Sequence, residues 1–198
     1  LSNSTVSGNT ANSDGAGTGG TGNGTGGGIH GDRPTLSNST VSGNTATNDG
    51  GGIFSSGQLA VINSTIAENL AGGQGGGVYN EGGRANLVNT IIAGNTAPNG
   101  PDCSGKATSL TGRFTSLGHN LLGNAIGCDF TAGNGDQIGF QFAIDPKLGS
   151  LQDNGGLTET HALLEGSPAI DAGVDGSAPE TDQRGISRPQ GGSSDIGA

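Results

Sequence analysis

A nine-residue segment that occurs four times is the feature that most constrains the fold of this chain. It reads LSNSTVSGN at positions 1–9 and again at 36–44, and it returns as VINSTIAEN from Val61 and as LVNTIIAGN from Leu87. Successive copies therefore start 35, 25 and 26 residues apart. Repeats of this length are typical of solenoids, propellers and other arrays. A second marker has the same phase, a glycine triplet followed by Ile29, Ile53 or Val78.

Within one repeat, the order of apolar and turn residues predicts short strands. Leu36 and Val41 lie five apart, so a straight strand would point them to opposite faces, and we expect a bend at Asn38. Ser42-Gly43-Asn44 marks a second turn, and no apolar stripe has helical spacing. A coil of about 25 residues with three short strands fits a solenoid in which each strand pairs with its equivalent one coil later. We predict an all-β, right-handed parallel β-helix with an irregular C-terminal cap.

Stacking in register would place equivalent residues in rows along the axis. The predicted interior rows contain only Leu, Ile and Val: Leu1, Leu36, Val61 and Leu87; Val6, Val41, Ile66 and Ile92; and Ile29, Ile53 and Val78. Two further rows consist of asparagine, whose amides can hydrogen-bond between coils and satisfy backbone groups in turns. We predict two structural ladders: Asn3, Asn38, Asn63 and Asn89; and Asn9, Asn44, Asn69 and Asn95.

Some asparagines also match the N-x-S/T sequence for glycosylation. Asn3, Asn38 and Asn63 are expected at buried corners, which cannot carry a glycan. Asn23 is the credible acceptor, because it lies in the Gly/Thr-rich segment 14–28, which we expect to be a flexible excursion from the array.

The composition says more about which partners the protein can bind than about its fold. With 29% hydrophobic residues and 43 glycines in 198, the chain would be read as disordered if the repeat did not indicate a thin solenoid core. The net charge of −10 and the lack of a basic stripe exclude nucleic acid, and they disfavour acidic polysaccharides unless a cation bridges. The sequence has no signal peptide and no apolar run that could span a membrane. It starts within a repeat, so we expect a processed product or part of a longer solenoid.

The chain divides into three segments by pattern. Residues 1–97 hold the repeats, at 1–35, 36–60, 61–86 and 87–97 onward. Residues 98–130 are expected to form irregular coils, and 131–198, which are acidic and proline-rich, the C-terminal cap or anchor-proximal segment.

Segment 98–130 contains both cysteines. In an exported protein Cys103 and Cys128 would form a disulfide worth roughly 3–4 kcal/mol. A metal site would need more ligands than His119 can add. The apolar residues expected to continue the core are Leu117, Leu121, Leu122 and Ile126.

The C-terminal motifs resemble a known family. LQDNGGLTETHALLEGSPAIDAG, followed by TDQRGISRPQGGSSDIGA, is similar to the C-terminal part of bacterial exported proteins with a choice-of-anchor Q domain. In that family such motifs follow parallel β-helix repeats of the NSTISGNTA type, and the segment around SLGHNLLG also matches. The resemblance covers nearly the whole chain. It implies a secreted right-handed β-helix on a bacterial surface, and it supplies no catalytic residues.

Other functions of β-helices find weaker support. Lyases and hydrolases need clustered carboxylates, and a calcium site needs acidic ligands at equivalent positions of successive coils. The acidic residues of the coils share no phase: Asp14, Asp32, Asp49, Glu68 and Glu81. A second series is better read as turn and cap residues: Asp145, Asp153, Asp171, Asp182 and Asp195. The outward threonines needed for ice binding, Thr5, Thr40 and Thr65, give way to Ile91. The three histidines have unlike contexts and are read as ordinary polar residues: His30, His119 and His161.

The sequence therefore predicts an extracellular structural or adhesive surface protein whose copies stack head to tail into a filament. The expected partners are the protein itself and surface glycans, with no nucleic acid, cofactor, metal or membrane span. The alternative is a carbohydrate-active β-helix enzyme, either a polysaccharide lyase or a glycoside hydrolase.

Overall fold

A computed structural model describes residues 1–13, 24–105 and 113–198. Asn23 and most of the segment 14–28 lie outside the described residues, so the predictions for them are not tested. Helix in the described part is limited to one 3-10 turn, Asp175–Ser177. The strands are β1 Thr5–Ser7, β2 Thr10–Ala11, β3 Ile29–Gly31, β4 Thr35–Ser37, β5 Thr40–Ser42, β6 Thr45–Ala46, β7 Ile53–Ser55, β8 Leu59–Ile62, β9 Thr65–Ala67, β10 Leu70–Ala71, β11 Val78–Asn80, β12 Arg84–Val88, β13 Ile91–Ala93, β14 Cys103–Gly105, β15 Arg113–Ser116, β16 Leu121–Leu122, β17 Phe130–Thr131, β18 Gln137–Ile138, β19 Leu148–Gln152 and β20 Thr160–Leu163.

Eighteen of these strands, β1 to β18, stack as four parallel sheets. The first sheet has the order β4-β8-β12-β15-β17, the second β1-β5-β9-β13-β16-β18, the third β2-β6-β10 and the fourth β3-β7-β11-β14. The predicted parallel β-solenoid, with coils about 25 residues apart, is thus confirmed. The coils of residues 36–60 and 61–86 have the three predicted strands and also a strand of two residues, such as Thr45–Ala46, where the sequence indicated a polar loop.

Equivalent apolar residues form continuous rows inside the coils. One row runs Val6, Val41, Ile66, Ile92, Leu122 and Ile138. A second runs Ile29, Ile53, Val78 and Cys103, and a third joins Leu36, Val61 and Leu87. From the second repeat onward the members predicted for these rows belong to one buried cluster. The predicted register is therefore present.

Three apolar side chains lie outside the core, against prediction. Leu1 is 55% exposed because only one neighbouring coil packs against it. Leu117 is 65% exposed: Ser116 lies opposite the inward Leu87, and successive side chains of a strand alternate. Ile126 is 58% exposed, and its neighbour Ala125 takes the interior place. Leu121 and Leu122 are buried as expected.

The corners of the coils have the backbone that the turn residues predict. The four corner asparagines have φ between 44° and 48°, in the left-handed region: Asn3, Asn38, Asn63 and Asn89. The second turn also has positive φ, at Gly8, Gly43 and Gly94 and, without glycine, at Glu68. The glycine triplets have a steric cause, since a Cβ on Gly51 would lie 2.4 Å from the carbonyl oxygen of Gly76 in the next coil.

The coil stack continues beyond the regular repeats. Cys103 and Cys128 form the predicted disulfide, with Cα atoms 5.3 Å apart, and it joins the fourth sheet to the turn before β17. Strand β18 still pairs with β16, so the stack reaches past residue 131, where the sequence suggested that the final segment begins.

The final segment lies along the side of the coil stack. We call residues 145–198 the strap. It contains the antiparallel pair β19 and β20. From the last coils it returns along the outer face of the second sheet as far as Thr5 in the first repeat. It is irregular, as predicted for a cap, but these contacts cover the flank of the solenoid.

Candidate functional site: the polar rows and the strap cavity

One asparagine row is a continuous hydrogen-bonded ladder. The Nδ2 of each residue donates to the Oδ1 of the next, at 3.0, 2.9 and 2.9 Å, through Asn9, Asn44, Asn69 and Asn95. Each Oδ1 also accepts the backbone amide of the preceding member, at 3.0 Å each. The bonds from side chain to side chain all run toward the later coils, so the ladder has a direction. The Nδ2 groups of Asn44, Asn69 and Asn95 also donate to backbone carbonyls of the preceding coil.

The ladder ends on a buried carboxylate. Asp102 Oδ1 accepts both the backbone amide of Asn95 (3.0 Å) and its Nδ2 (2.9 Å), and Oδ2 accepts the amide of Asn124 (2.6 Å). Aspartate suits this position because an ionised carboxylate only accepts hydrogen bonds. Burial nevertheless raises the pKa of Asp102 from 3.8 to about 6, against the lowering effect of these donors.

A second polar row was not predicted. The amide of Ser4 donates to Ser39 Oγ (3.3 Å), and the amide of Ser39 to Ser64 Oγ (3.2 Å). In later coils the amide of Thr90 donates to Asn120 Oδ1, and that of Asn120 to Asp136 Oδ1. Ser4, Ser39 and Ser64 recur in phase in the sequence, and this repetition is the signal that could have predicted the row.

The corner asparagines do not form the predicted amide ladder. One bond links them, from Asn89 Nδ2 to Asn63 Oδ1 at 3.4 Å, and Asn63 Nδ2 is buried without a partner. Two of them bind the strap: Asn38 Nδ2 donates to Thr181 O, and Asn89 exchanges two 2.9 Å bonds with the backbone of Val174. The left-handed corner turns these side chains outward, toward the strap. Asn3 is exposed, also against prediction.

The strap covers the outward row that begins with threonines. Gln183 Nε2 donates to Thr5 Oγ1 and Gln183 Oε1 accepts from Thr40 Oγ1, both at 2.8 Å. Thr65 Oγ1 accepts the amide of Ala198 at 3.2 Å. At the end of this row Ile91 joins a small apolar cluster with Ile196.

Two histidines fasten the strap and its hairpin. The buried His161 donates from Nδ1 to Gly149 O (2.7 Å), so its Nε2 accepts from Ser42 Oγ (2.8 Å). His119 donates from Nδ1 to Ala172 O (2.8 Å). Both side chains therefore join the strap to the coils.

An Asp-Arg turn shapes the part of the strap near Thr40. Asp182 accepts the Nε and Nη2 of Arg184 at 2.9 and 2.6 Å. Its other oxygen accepts the backbone amides of Arg184 and Ile186. The Asp182 carboxylate is thus committed to the turn.

Arg188 is the second guanidinium of this region. It donates to Asp195 O (3.2 Å), Gly197 O (3.0 Å) and Asn38 Oδ1 (3.4 Å), and its Nε is buried without a partner. Burial lowers the pKa of Arg188, although Asp182 and Asp195 attract its charge. This cation is therefore bonded only to neutral oxygens.

Close by, Ser194 faces the exposed carboxylate of Asp175. Its backbone amide donates to Asp175 Oδ1 at 2.7 Å. The neighbouring hydroxyl and this amide lower the pKa of Asp175, although the hydroxyl makes no well-aligned hydrogen bond.

A cavity of about 280 Å³ lies between the strap and the second sheet, and we call it the strap cavity. Its polar lining includes Asp182, Arg184, Arg188 and Asp195, and its apolar lining includes Ile170. The aspartates at 182 and 195 are the members of the predicted acidic series that the structure brings together here.

A groove of similar size crosses the outer face of the fourth sheet. Three rings stack along its floor, with centroids 4.7 Å apart for His30 and Phe54 and 5.5 Å apart for Phe54 and Tyr79. Asp49 and Glu81 flank it, and burial, with a smaller effect of these two charges, raises the pKa of Tyr79. The ring faces cover one another along the stack, and we call this groove the aromatic groove.

In the described part, no cluster of three or more His, Cys, Asp or Glu side chains is arranged to hold a metal ion. No helix in those ranges has the length and apolar character needed to cross a membrane.

Comparison of the chain with models of protein families, with curated proteins and with solved structures gives no match. The resemblance to proteins with a choice-of-anchor Q domain therefore depends on the quoted motifs alone.

Proposed function

We propose that this chain is an extracellular structural or adhesive protein of the bacterial surface, in which the coil stack is a stiff framework. The observation that carries the proposal is the strap, which bonds to Thr5 in the first repeat and to Asn89 in the fourth. Coils of a linear array contact only their neighbours and can separate locally. A segment bonded along the flank opposes such separation, which suits a protein that holds its shape under load.

The location and the mechanical role are tested separately. Antibodies against the purified protein are expected to label intact source cells, and a signal seen only after lysis would contradict a surface protein. In single-molecule pulling, the coils should unfold together in wild type and one after another in Gln183→Ala, which loses the bonds to Thr5 and Thr40. Identical force–extension traces for wild type and Gln183→Ala would show that the strap does not hold the coils together.

The proposal extends to head-to-tail filaments. Parallel stacking gives the solenoid two unlike ends, and joining unlike ends of successive copies does not close a ring. Among the described residues β1, β2 and β3 are edge strands of their sheets, whereas residues 1–3 pair with β4. Unpaired strand edges favour addition of another chain. Electron microscopy should show filaments, and a monodisperse monomer in light scattering would contradict them.

Adhesion would take place through surface glycans. The strap cavity and the aromatic groove are both concave and have mixed polar and apolar linings, as binding sites for small molecules do. A glycan array is the direct test, and lack of binding to any glycan would leave the structural role alone.

A carbohydrate-active enzyme is the second candidate, because Asp182 and Asp195 line one cavity. It ranks second since Asp182 is committed to Arg184 and to its own turn. Turnover of a glycan panel that is lost in Asp195→Asn would favour the enzyme. No turnover by the wild-type protein would dismiss it.

A further inference from the structure

We infer that the strap cavity binds a small ligand through a carboxylate group. The cavity, about 280 Å³, is slightly smaller than the roughly 300–1,000 Å³ usual for pockets of drug-sized ligands. A ligand of a few heavy atoms up to one sugar ring suits this space. The inference concerns a site in the strap and does not depend on the proposed surface role.

Arg188 supplies the first argument. A guanidinium has five N–H donors, and three hydrogen bonds are formed here, all to neutral oxygens of Asp195, Gly197 and Asn38. No carboxylate of the described residues forms an ion pair with it at salt-bridge distance. Buried charges in proteins are normally paired, because an uncompensated one is costly. Arg188 is partly buried, so an anion in the cavity would give this incompletely compensated charge a partner.

The electrostatics of the same group agree with this geometry. Desolvation lowers the pKa of Arg188 more than the attraction of Asp182 and Asp195 raises it. The two aspartates thus compensate the charge only in part. A carboxylate inside the cavity would add to the compensation and accept the second Nη1 hydrogen of Arg188, which none of the three hydrogen bonds uses.

A carboxylate fits better than other anions or a neutral group. The planar fork of arginine matches carboxylate geometry, and Arg184 lines the same cavity beside Arg188. Of the aspartates in the wall, Asp182 is held by Arg184, and Asp195 Oδ1 accepts the amide of Asp171. The net charge of −10 repels polyanions, so we expect a small molecule with a single carboxylate.

Filling the cavity from another wall tests whether Arg188 binds a ligand or only stabilises the strap. Ser187 is exposed and lines the cavity, so Ser187→Tyr is designed to occupy the space without removing Arg188. Ser177 is also exposed, lies in the 3-10 turn and is not among the residues that line the cavity, so Ser177→Tyr is the matched control.

The experiment is a calorimetric titration of the intact chain with sodium D-glucuronate, sodium acetate and D-glucose at constant ionic strength. We expect saturable binding of glucuronate and none of glucose. Acetate binding as well would mean that any small carboxylate suffices, and its absence would identify a sugar acid. Ser187→Tyr should weaken binding by about tenfold or more, while Ser177→Tyr should not change it.

Three results would overturn the inference. They are no saturable binding of either carboxylate, equal binding of glucose, and unchanged binding by Ser187→Tyr. Arg188→Lys keeps the charge and loses the fork, so a folded variant should bind about fivefold more weakly. If thermal unfolding shows that Arg188→Lys does not fold, the two tyrosine variants decide the question.

Discussion

The two asparagine rows have the same residue type and the same spacing, yet only one of them is a ladder. Asn9, Asn44, Asn69 and Asn95 bond from coil to coil. The corner row has one long bond of 3.4 Å between its members and binds the strap instead. The backbone makes the difference, because the corner residues adopt left-handed φ and the members of the ladder do not. Equal periodicity therefore predicts stacking, but the bonds depend on where each side chain points.

The sharpest test of the difference is Asn69→Ala. Its side chain takes part in five hydrogen bonds, with Asn44 (two), Val41, Ala67 and Asn95. The two Nδ2 hydrogens are shared among three acceptors, so the side chain forms the equivalent of four full bonds. At about 1 kcal/mol for each, we expect a loss of about 4 kcal/mol in the free energy of unfolding. Urea denaturation measures it, and a loss below about 1 kcal/mol would contradict a load-sharing ladder.

The end of the ladder should make stability depend on pH. The pKa of Asp102 is about 6 in the fold and 3.8 ordinarily, so the fold favours the protonated acid. Its contribution is fully present below pH 3.8 and is lost as pH rises through 6, a change of about 3 kcal/mol by linkage. Unfolding measured from pH 3.5 to 7 should show this decline. Asp102→Asn should flatten it, and an unchanged slope in that variant would assign the effect to other groups.

Asn89→Gly probes the corner row where it binds the strap. The variant keeps the left-handed corner but removes the two 2.9 Å bonds to Val174. We expect a loss of about 2 kcal/mol and faster proteolysis near Val174. Limited proteolysis with mass spectrometry measures the release of the strap, and cleavage at the wild-type rate would show that the corner does not hold it.

Asn63→Gly is the matched control, and we expect it to have the smallest effect on the free energy of unfolding. Asn63 has the same left-handed φ, its Nδ2 has no partner, and its Oδ1 accepts one bond of 3.4 Å. Glycine tolerates this backbone, so the free energy of unfolding should change by less than about 1 kcal/mol. A larger loss would mean that the corner row shares the role of the ladder.

The features that follow from the repeat could be predicted from the sequence. Stacked rows such as Val6 to Ile92 follow from equal spacing, and the bend at Asn38 follows from the tolerance of asparagine for left-handed φ. The short strand Thr45–Ala46 was missed because two residues show no alternation, although Ala11, Ala46 and Ala71 recur in phase.

The strap could not be predicted by the same reasoning. Gln183 and Thr5 are separated by 178 residues, and neither belongs to a periodic pattern that includes the other. The cavity around Arg188 is likewise formed by contacts between residues far apart in the sequence, so no local sequence pattern indicates it. The acidic series pointed to the correct segment without showing that Asp182 would be committed to Arg184.

The strap also limits how the protein can change in length. A directional ladder accepts a duplicated coil anywhere before Asp102, because each new asparagine would receive from one neighbour and donate to the next. The strap has a fixed reach, from the last coils to Thr5. If a coil were added, the strap would no longer reach Thr5 in the first repeat. The length of the strap therefore limits the number of coils that the fold can contain.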